Sequence, residues 1–97
     1  MKYVIHHQSK ARQDLKNIWF YSFDKFGQAQ ADKYFDELES AFKTLQDNPQ
    51  IGVICDYIRP DYRQFKINHH YIFYKISQQT IQVIRVLHES MQLESHL

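Results

Sequence analysis

The sequence has little of several residue types, and each scarcity narrows the class of protein. A single cysteine, Cys55, excludes an internal disulfide framework and is expected to be a buried structural thiol. Two glycines and two prolines are too few for a linker-rich or disordered chain. No apolar run approaches the ~20 residues of a membrane helix, and the first residues lack the apolar segment of a signal peptide. We therefore expect a cytoplasmic protein with no membrane partner.

The length and hydrophobic content of the chain suit one compact domain. The chain has 97 residues, of which 43% are hydrophobic, so residues 1–97 are predicted to share a single core. The net charge of +1 lacks the strongly basic balance of nucleic-acid-binding domains. We therefore predict no direct sequence-specific binding to nucleic acid.

Two amphipathic helices follow a short first strand at Lys2–His7. Ser9 is the predicted N-cap of the first helix, and Gly27 is predicted to end it. The second helix is predicted from Gln28 to the stop at Asn48-Pro49. Apolar residues at helical spacing define one stripe on each helix: Ala11, Leu15, Ile18, Trp19 and Phe26 on the first, and Ala31, Tyr34, Phe35, Leu38, Phe42 and Leu45 on the second. Phe20, Tyr21 and Phe23 widen the first stripe beyond what one core needs, which is typical of an interaction surface.

The second half of the chain predicts an antiparallel sheet. Strands are expected at Tyr62–Ile67, Tyr71–Ile76 and Thr80–His88, with a short one possible within Val53–Tyr57. The polar segment 77–80 predicts a hairpin between the last two strands. The fold class is thus α+β, in the order β-α-α-β-β-β, with a helical hairpin packed on a small, mainly antiparallel sheet. The tail 89–97 lacks strong periodicity, so we expect it to be only partly ordered unless its apolar residues dock on the body.

Strand alternation assigns the two faces of this sheet. The face predicted to pack on the helices carries Phe65, Ile67, Ile72, Tyr74, Ile76, Ile84 and Val86. The other is predicted to be open, and it mixes cations with aromatic and aliphatic side chains, among them Ile81, Val83 and Leu87; a single β-bulge would exchange the faces locally. Exposed aromatic residues beside cations are typical of protein interfaces. We therefore predict a partner-binding set on this face and just beyond the last strand: Lys66, Tyr71, Phe73, Lys75, Arg85, His88 and Met91.

A series of short motifs covers nearly the whole chain in a recognisable order. They are Asp14-Leu15-x-x-Ile18-Trp19-x-Tyr21, Gly27, Asn48-Pro49, Arg59-Pro60, Arg63-x-Phe65, Ile72-Phe73-Tyr74 and Arg85-Val86-Leu87-His88. In order and spacing they resemble the ParE-type toxins of the ParE/RelE toxin-antitoxin superfamily. The resemblance implies a β-α-α-β-β-β fold, a ParD-like antitoxin that wraps the toxin in a hetero-oligomer, and inhibition of DNA gyrase by direct binding. It also implies a toxin that is not itself an enzyme.

Two alternatives remain beside this interpretation. The sister RelE-type toxins cut messenger RNA in the ribosome, and Lys66, Lys75, Arg85 and His88 could form such a catalytic set. However, Tyr62, Gln64 and Tyr71 stand where those nucleases often carry a lysine pair and an arginine. The other alternative is a non-toxic family member that acts only with its antitoxin.

The paired histidines at positions 6–7 and 69–70 invite a metal site, but neighbours on a strand point to opposite faces. We therefore expect no metal and no cofactor.

Overall fold

The computed structural model describes residues 3–91 and 93–97, with residues 93 and 94 described by their backbone only. The elements, in chain order, are β1 (Val4–His7), α1 (Ser9–Phe26), α2 (Gln28–Asp47), β2 (Val53–Ile54), β3 (Arg63–Ile67), β4 (His70–Ser77), β5 (Thr80–His88) and α3 (Leu93–His96). This confirms the predicted α+β class and the helical hairpin on a sheet. The four-residue α3 was not predicted. Among the described residues, no helix combines the length and apolar character needed to cross a membrane.

The sheet has five strands in the order β1-β5-β4-β3-β2. Among the described strands only the β1–β5 pair is parallel, so the sheet is mainly antiparallel as predicted. β1 reaches only from Thr80 to Val83 along β5. Within the part of the chain that the structure describes, the second half of β5 therefore has no strand on that side, and α1 packs against β5.

The helical hairpin turns on Gly27, whose φ of 87° is a left-handed conformation that favours glycine. Its amide donates to the carbonyl of Phe23 and closes the last turn of α1. The predicted N-cap was wrong by one residue. Ser9 is already helical, and Gln8 occupies the cap position without a side-chain hydrogen bond.

The main core lies between the hairpin and one face of the sheet. The predicted stripe on α2 is confirmed, with Leu38 and Leu45 almost fully buried. The stripe on α1 is narrower than predicted, because Phe26 is 68% exposed and Trp19 is only half-buried. Six of the seven sheet residues assigned to this face join the core: Phe65, Ile67, Ile72, Tyr74, Ile76 and Val86.

A β-bulge in β5 changes the face assignment of three residues. Phe73 lies opposite Arg85, but Tyr74 lies opposite Val83, so Ile84 is an extra residue in β5. Alternation therefore restarts there, and the predicted faces of Ile81, Val83 and Ile84 were wrong. Ile81 and Val83 belong to the main core, whereas Ile84 is half-buried outside it.

The second face of the sheet was predicted to be open, and this was wrong around Phe73. A second core covers it, in which Phe73 and Leu87 are buried under Cys55 and Ile58 of the segment between α2 and β3. Met91, Leu97, Tyr62 and Tyr71 pack around this cluster. The C-terminal tail and the segment between α2 and β3 cover this face of the sheet. Strand alternation in the sequence does not reveal which residues will cover a face. Cys55 is fully buried, as predicted for a structural thiol, and this burial raises its pKa.

Candidate partner-binding groove

A groove of about 710 Å³ runs between α1 and the C-terminal residues of β5. It opens where β1 has ended and the helix lies directly beside β5. Its apolar walls come from Ile18, Tyr21, Phe26, Val86, Leu87 and Met91, and its polar lining includes Asp14, Tyr34, His69, His70, His88 and Ser90. We call this region the groove. The exposed rings of Tyr21 and Phe26 line it while remaining 61% and 68% accessible to solvent.

The base of the groove is held by Asp14. Its carboxylate accepts hydrogen bonds from Arg85 Nε at 2.7 Å and Nη2 at 2.9 Å, and from the Val86 amide at 3.0 Å. The Arg85 and Asp14 side chains are only 16% and 12% exposed. The hydrogen bond to Asp14 raises the pKa of Arg85 further above its ordinary value. Arg85 was predicted to bind a partner, but in this structure it joins α1 to β5.

One end of the groove carries a half-buried tyrosine–histidine pair. The Tyr34 hydroxyl lies 2.5 Å from His70 Nδ1. Burial lowers the pKa of His70 to about 4 and raises the pKa of Tyr34 to about 12. His70 is therefore neutral near pH 7. The Tyr34 hydroxyl also lies 3.4 Å from the Ile67 carbonyl oxygen, to which it can donate.

Two more imidazoles lie beside this pair at the exposed end. His69 Nδ1 lies 2.5 Å from a Glu89 carboxylate oxygen, and Lys66 Nζ lies 3.2 Å from the other. The hydrogen bond from His69, followed by that from Lys66, lowers the pKa of Glu89. His88 Nδ1 is 2.7 Å from Ser90 Oγ and accepts from the Ser90 amide at 3.1 Å. We call His69, His88, Glu89 and Lys66 the histidine end of the groove.

The structure separates the predicted partner-binding residues into several locations. His88 and Met91 line the groove, and Lys66 lies at its histidine end. Phe73 is fully buried in the second core, and Tyr71 is half-buried at the edge of that core, with Lys66 Nζ 5.5 Å from its ring centroid. Lys75 lies five residues beyond His70 on β4, where it pairs with Gln82.

Sequence reasoning missed Asp14, Tyr21 and Tyr34 as parts of one site. Asp14 and Tyr21 stood in the motif series. Their position beside β5 arises because β1 is too short to pair with the second half of that strand. Tyr34 was assigned only to the apolar stripe of α2. Its hydrogen bond to His70 joins residues 36 positions apart, which no local pattern reveals.

A second apolar surface lies on α1 outside the lining of the groove. The Trp19 ring stacks on Phe23 at 5.2 Å between centroids and meets Phe20 edge-on at 5.5 Å. Trp19 Nε1 donates to Asp32 of α2 at 3.2 Å. Phe20 is 60% exposed and Phe23 is 42% exposed, so the surplus apolar surface predicted on this helix is confirmed. We call Trp19, Phe20 and Phe23 the outer aromatic patch.

Histidine, cysteine and acidic side chains form no group of three or more suited to a metal ion within residues 3–91 and 93–97.

Comparison with known proteins connects these features to a family. The chain matches the family model described as ParE toxin of type II toxin-antitoxin system, parDE, over residues 5–93. It is 40% identical over 88 residues to Toxin ParE1 of Mycobacterium tuberculosis (strain CDC 1551 / Oshkosh), covering 90% of each chain. It is 34% identical over 88 residues to Toxin ParE1 of Caulobacter vibrioides, covering 91% of each.

Solved structures share the fold at lower sequence identity. A chain of the chromosomal ParDE toxin-antitoxin system of P. aeruginosa matches with a TM-score of 0.78 and 19% identity, covering 90% of this chain and 96% of that one. A chain of the RelBE2 toxin-antitoxin complex of Mycobacterium tuberculosis matches with a TM-score of 0.64 and 20% identity, covering 91% and 99%. From the family match and the curated relatives together, the chain belongs to the ParE toxins of type II toxin-antitoxin systems.

Proposed function

We propose that this ParE toxin binds DNA gyrase directly and blocks its cycle, and that a ParD-like antitoxin neutralises it by occupying the groove. The family membership supports the general role. The solved relatives support an antitoxin partner, because one belongs to a ParDE system and the other is a RelBE2 toxin-antitoxin complex. Because gyrase acts on bacterial DNA, the proposal also implies that the toxin acts in the cytoplasm.

The observation that carries the assignment of the groove is its exposed apolar lining. Tyr21 and Phe26 remain more than half exposed, although they stand beside a concave surface of about 710 Å³. A small domain rarely leaves such surface uncovered unless a partner buries it. Tyrosine is also among the residue types that most often dominate binding energy at interfaces.

The outer aromatic patch supplies a separate surface for gyrase. Phe20 and Phe23 lie on the same helix as Tyr21 but outside the groove. Because the two surfaces are separate, a substitution in one of them can impair binding of one partner without impairing binding of the other. Because α1 carries both surfaces, a bound antitoxin lies next to the patch and can hinder the approach of gyrase.

The arrangement of cations supports a non-enzymatic toxin over an endoribonuclease. Cleavage of RNA needs cations that stabilise the developing negative charge on phosphorus. Lys66 is already paired with Glu89, and Arg85 is already paired with Asp14. Of the three lysine and arginine members of the catalytic set that the sequence offered, Lys66 and Arg85 are thus paired with carboxylates, and Lys75 lies elsewhere on β4.

A supercoiling assay tests the proposal. Purified toxin is added to gyrase and relaxed plasmid, with and without the antitoxin. We expect inhibition that the antitoxin relieves. Full supercoiling activity in the presence of folded toxin would remove gyrase as the target, and cleavage of message on programmed ribosomes would then be measured. Harmless expression of the toxin alone would favour the non-toxic family member.

A further inference from the structure

We propose that the outer aromatic patch binds a second copy of this chain, with the two α1 helices packed antiparallel about a twofold axis at Phe20. The inference goes beyond the proposed function, because neither gyrase nor antitoxin takes part in the pairing. Phe20 and Phe23 are 60% and 42% exposed, so a partner that covers both rings removes a large apolar area from water.

The first argument is the shape of the face of α1 that carries Phe20. Side chains on this face recur at intervals of three and four residues, and all of them are exposed: Gln13, Lys16, Phe20, Phe23 and Asp24. The buried residues of α1 lie on the opposite side of the helix. This face is therefore a straight, unpartnered ridge of about three helical turns, a length that a second helix can cover.

The second argument is charge complementarity, which selects a second copy in the antiparallel orientation. Lys16 and Asp24 lie four residues before and after Phe20, so each is about 6 Å from it along the helix axis and about 40° to one side. A twofold axis at Phe20 reverses the helix direction and brings Lys16 of each copy to the level of Asp24 of the other. Parallel helices in the same register would place like charges together instead.

The third argument is that the polar groups around Phe20 are available for these contacts. Among the described residues, neither Lys16 nor Asp24 takes part in an ion pair. Asn17 lies on the same side of the face as Asp24, and its Oδ1 accepts Gln13 Nε2 at 3.0 Å. The NH2 group of Asn17 is thus left as a donor for Asp24 of the other copy.

The aromatic rings of the patch are held in place within one chain. Trp19 stacks on Phe23 at 5.2 Å between centroids and donates Nε1 to Asp32 at 3.2 Å, so pairing costs little ordering of these side chains. The patch is small beside a standard protein interface, so we expect a reversible dimer with a dissociation constant of about 10–100 μM. If gyrase also binds the patch, as proposed above, the dimer must dissociate before gyrase can bind.

Sedimentation of the purified toxin alone tests the dimer. Between about 1 and 500 μM protein, the average mass should rise from that of one chain towards that of two. Phe20→Ala should weaken the pairing at least about tenfold, because it removes the ring on the twofold axis. A toxin that stays monomeric over this whole range, or a Phe20→Ala variant that dimerises as well as the unmodified chain, would overturn the inference.

A charge swap tests the antiparallel register. Lys16→Glu and Asp24→Lys each place like charges at two symmetric contacts, so each should weaken the dimer about tenfold. The double variant restores opposite charges and should dimerise within about threefold of the unmodified toxin. Lys43→Glu makes the same charge change at an exposed position towards the end of α2 and should have little effect. Single swaps without effect, or a folded double variant as weak as the single ones, would refute this pairing.

The supercoiling assay keeps this inference separate from the proposed function. A toxin that dimerises through Phe20 but leaves gyrase active would remove only the proposed function. A toxin that inhibits gyrase but sediments as a monomer at every concentration would remove only the dimer.

Discussion

Asp14 of α1 and Arg85 of β5 lie 71 residues apart in sequence and are joined by two hydrogen bonds of 2.7 and 2.9 Å. The same carboxylate accepts the Val86 amide at 3.0 Å. β1 ends opposite Val83, so this amide lies where no neighbouring strand reaches. Asp14 thus substitutes for the missing part of β1 and fixes α1 beside the groove.

Asp14→Asn should lower the free energy of unfolding by about 3 kcal/mol, because it leaves a largely buried arginine without its counter-charge. The amide oxygen of asparagine can still accept from Val86 and from Arg85 Nε, but its NH2 group replaces the oxygen that accepts from Arg85 Nη2, so the charge and one hydrogen bond are lost together. The measurement is urea denaturation followed by circular dichroism. Asp24→Asn, at an exposed position of the same helix, is the matched control and should change stability by no more than about 0.5 kcal/mol. Equal losses in the two variants would contradict this account.

Gly52 is required by a close approach of Tyr74. A Cβ at position 52 would lie 2.3 Å from the Tyr74 hydroxyl oxygen. That hydroxyl accepts the Gly52 amide at 2.9 Å and donates to the Pro49 carbonyl at 2.7 Å. Gly52→Ala should therefore destabilise the fold by about 2–4 kcal/mol, through overpacking and loss of buried hydrogen bonds.

The two glycines of the chain allow a direct comparison in thermal or urea denaturation. Gly27→Ala meets open space, but its φ of +87° is strained for alanine, so a smaller loss of about 1 kcal/mol is expected. A larger loss for Gly27→Ala than for Gly52→Ala would show that the contact with Tyr74 is not the dominant constraint.

The helices and strands could be predicted because their signals are local. The apolar stripe of α2 and the stop at Asn48 both depend on neighbours within a few residues. The face of Ile81 could not be predicted, because one extra residue at Ile84 reverses the alternation without any composition signal. The burial of Phe73 depends on Cys55 and Ile58, which approach it only after the chain has folded.

The candidate site shows the same limit. His88 and Met91 were selected from sequence because they lie at the end of the last strand and just beyond it, where the motif series closes, and both line the groove. Arg85 was selected for its charge, but its guanidinium forms an ion pair with Asp14 of α1. Whether a cation is free or paired depends on tertiary contacts, so a strand pattern alone could not separate Arg85 from His88.

We predict that the protein loses stability in mild acid, because the half-buried His70 disfavours its protonated form. Its pKa falls from 6.5 to about 4 on folding, so the unfolded chain binds the proton more tightly. The stabilising effect is therefore fully present above about pH 6.5 and is lost as the pH falls towards 4. We expect a loss of about 1–2 kcal/mol over this interval, a figure reduced for the partial solvent access of the ring.

His70→Asn tests this dependence, because asparagine offers Tyr34 an acceptor but does not titrate. The difference in unfolding free energy between pH 7 and pH 4.5 should shrink in this variant. It should not vanish, because burial lowers the pKa of His7 in the same direction. His96→Gln removes an imidazole at an exposed position and is the control against which the change in His70→Asn is compared. An identical profile for His70→Asn and the unmodified protein would contradict the assignment.

Tyr21 and Phe20 are adjacent on α1 and almost equally exposed, at 61% and 60%, yet only Tyr21 lines the groove. Tyr21→Ala should weaken antitoxin binding by about 2 kcal/mol, roughly thirtyfold, as expected for an aromatic anchor at an interface. Phe20→Ala should leave antitoxin binding within about threefold, because its ring belongs to the outer aromatic patch.

The reverse pattern is expected in the supercoiling assay. Phe20→Ala should raise the toxin concentration needed to inhibit gyrase by about tenfold, whereas Tyr21→Ala should inhibit gyrase nearly normally when no antitoxin is present. Both residues are exposed, so both variants should remain folded, which circular dichroism verifies. Parallel losses of both activities in each variant would mean that antitoxin and gyrase compete for one surface, and the division of α1 into two binding faces would be wrong.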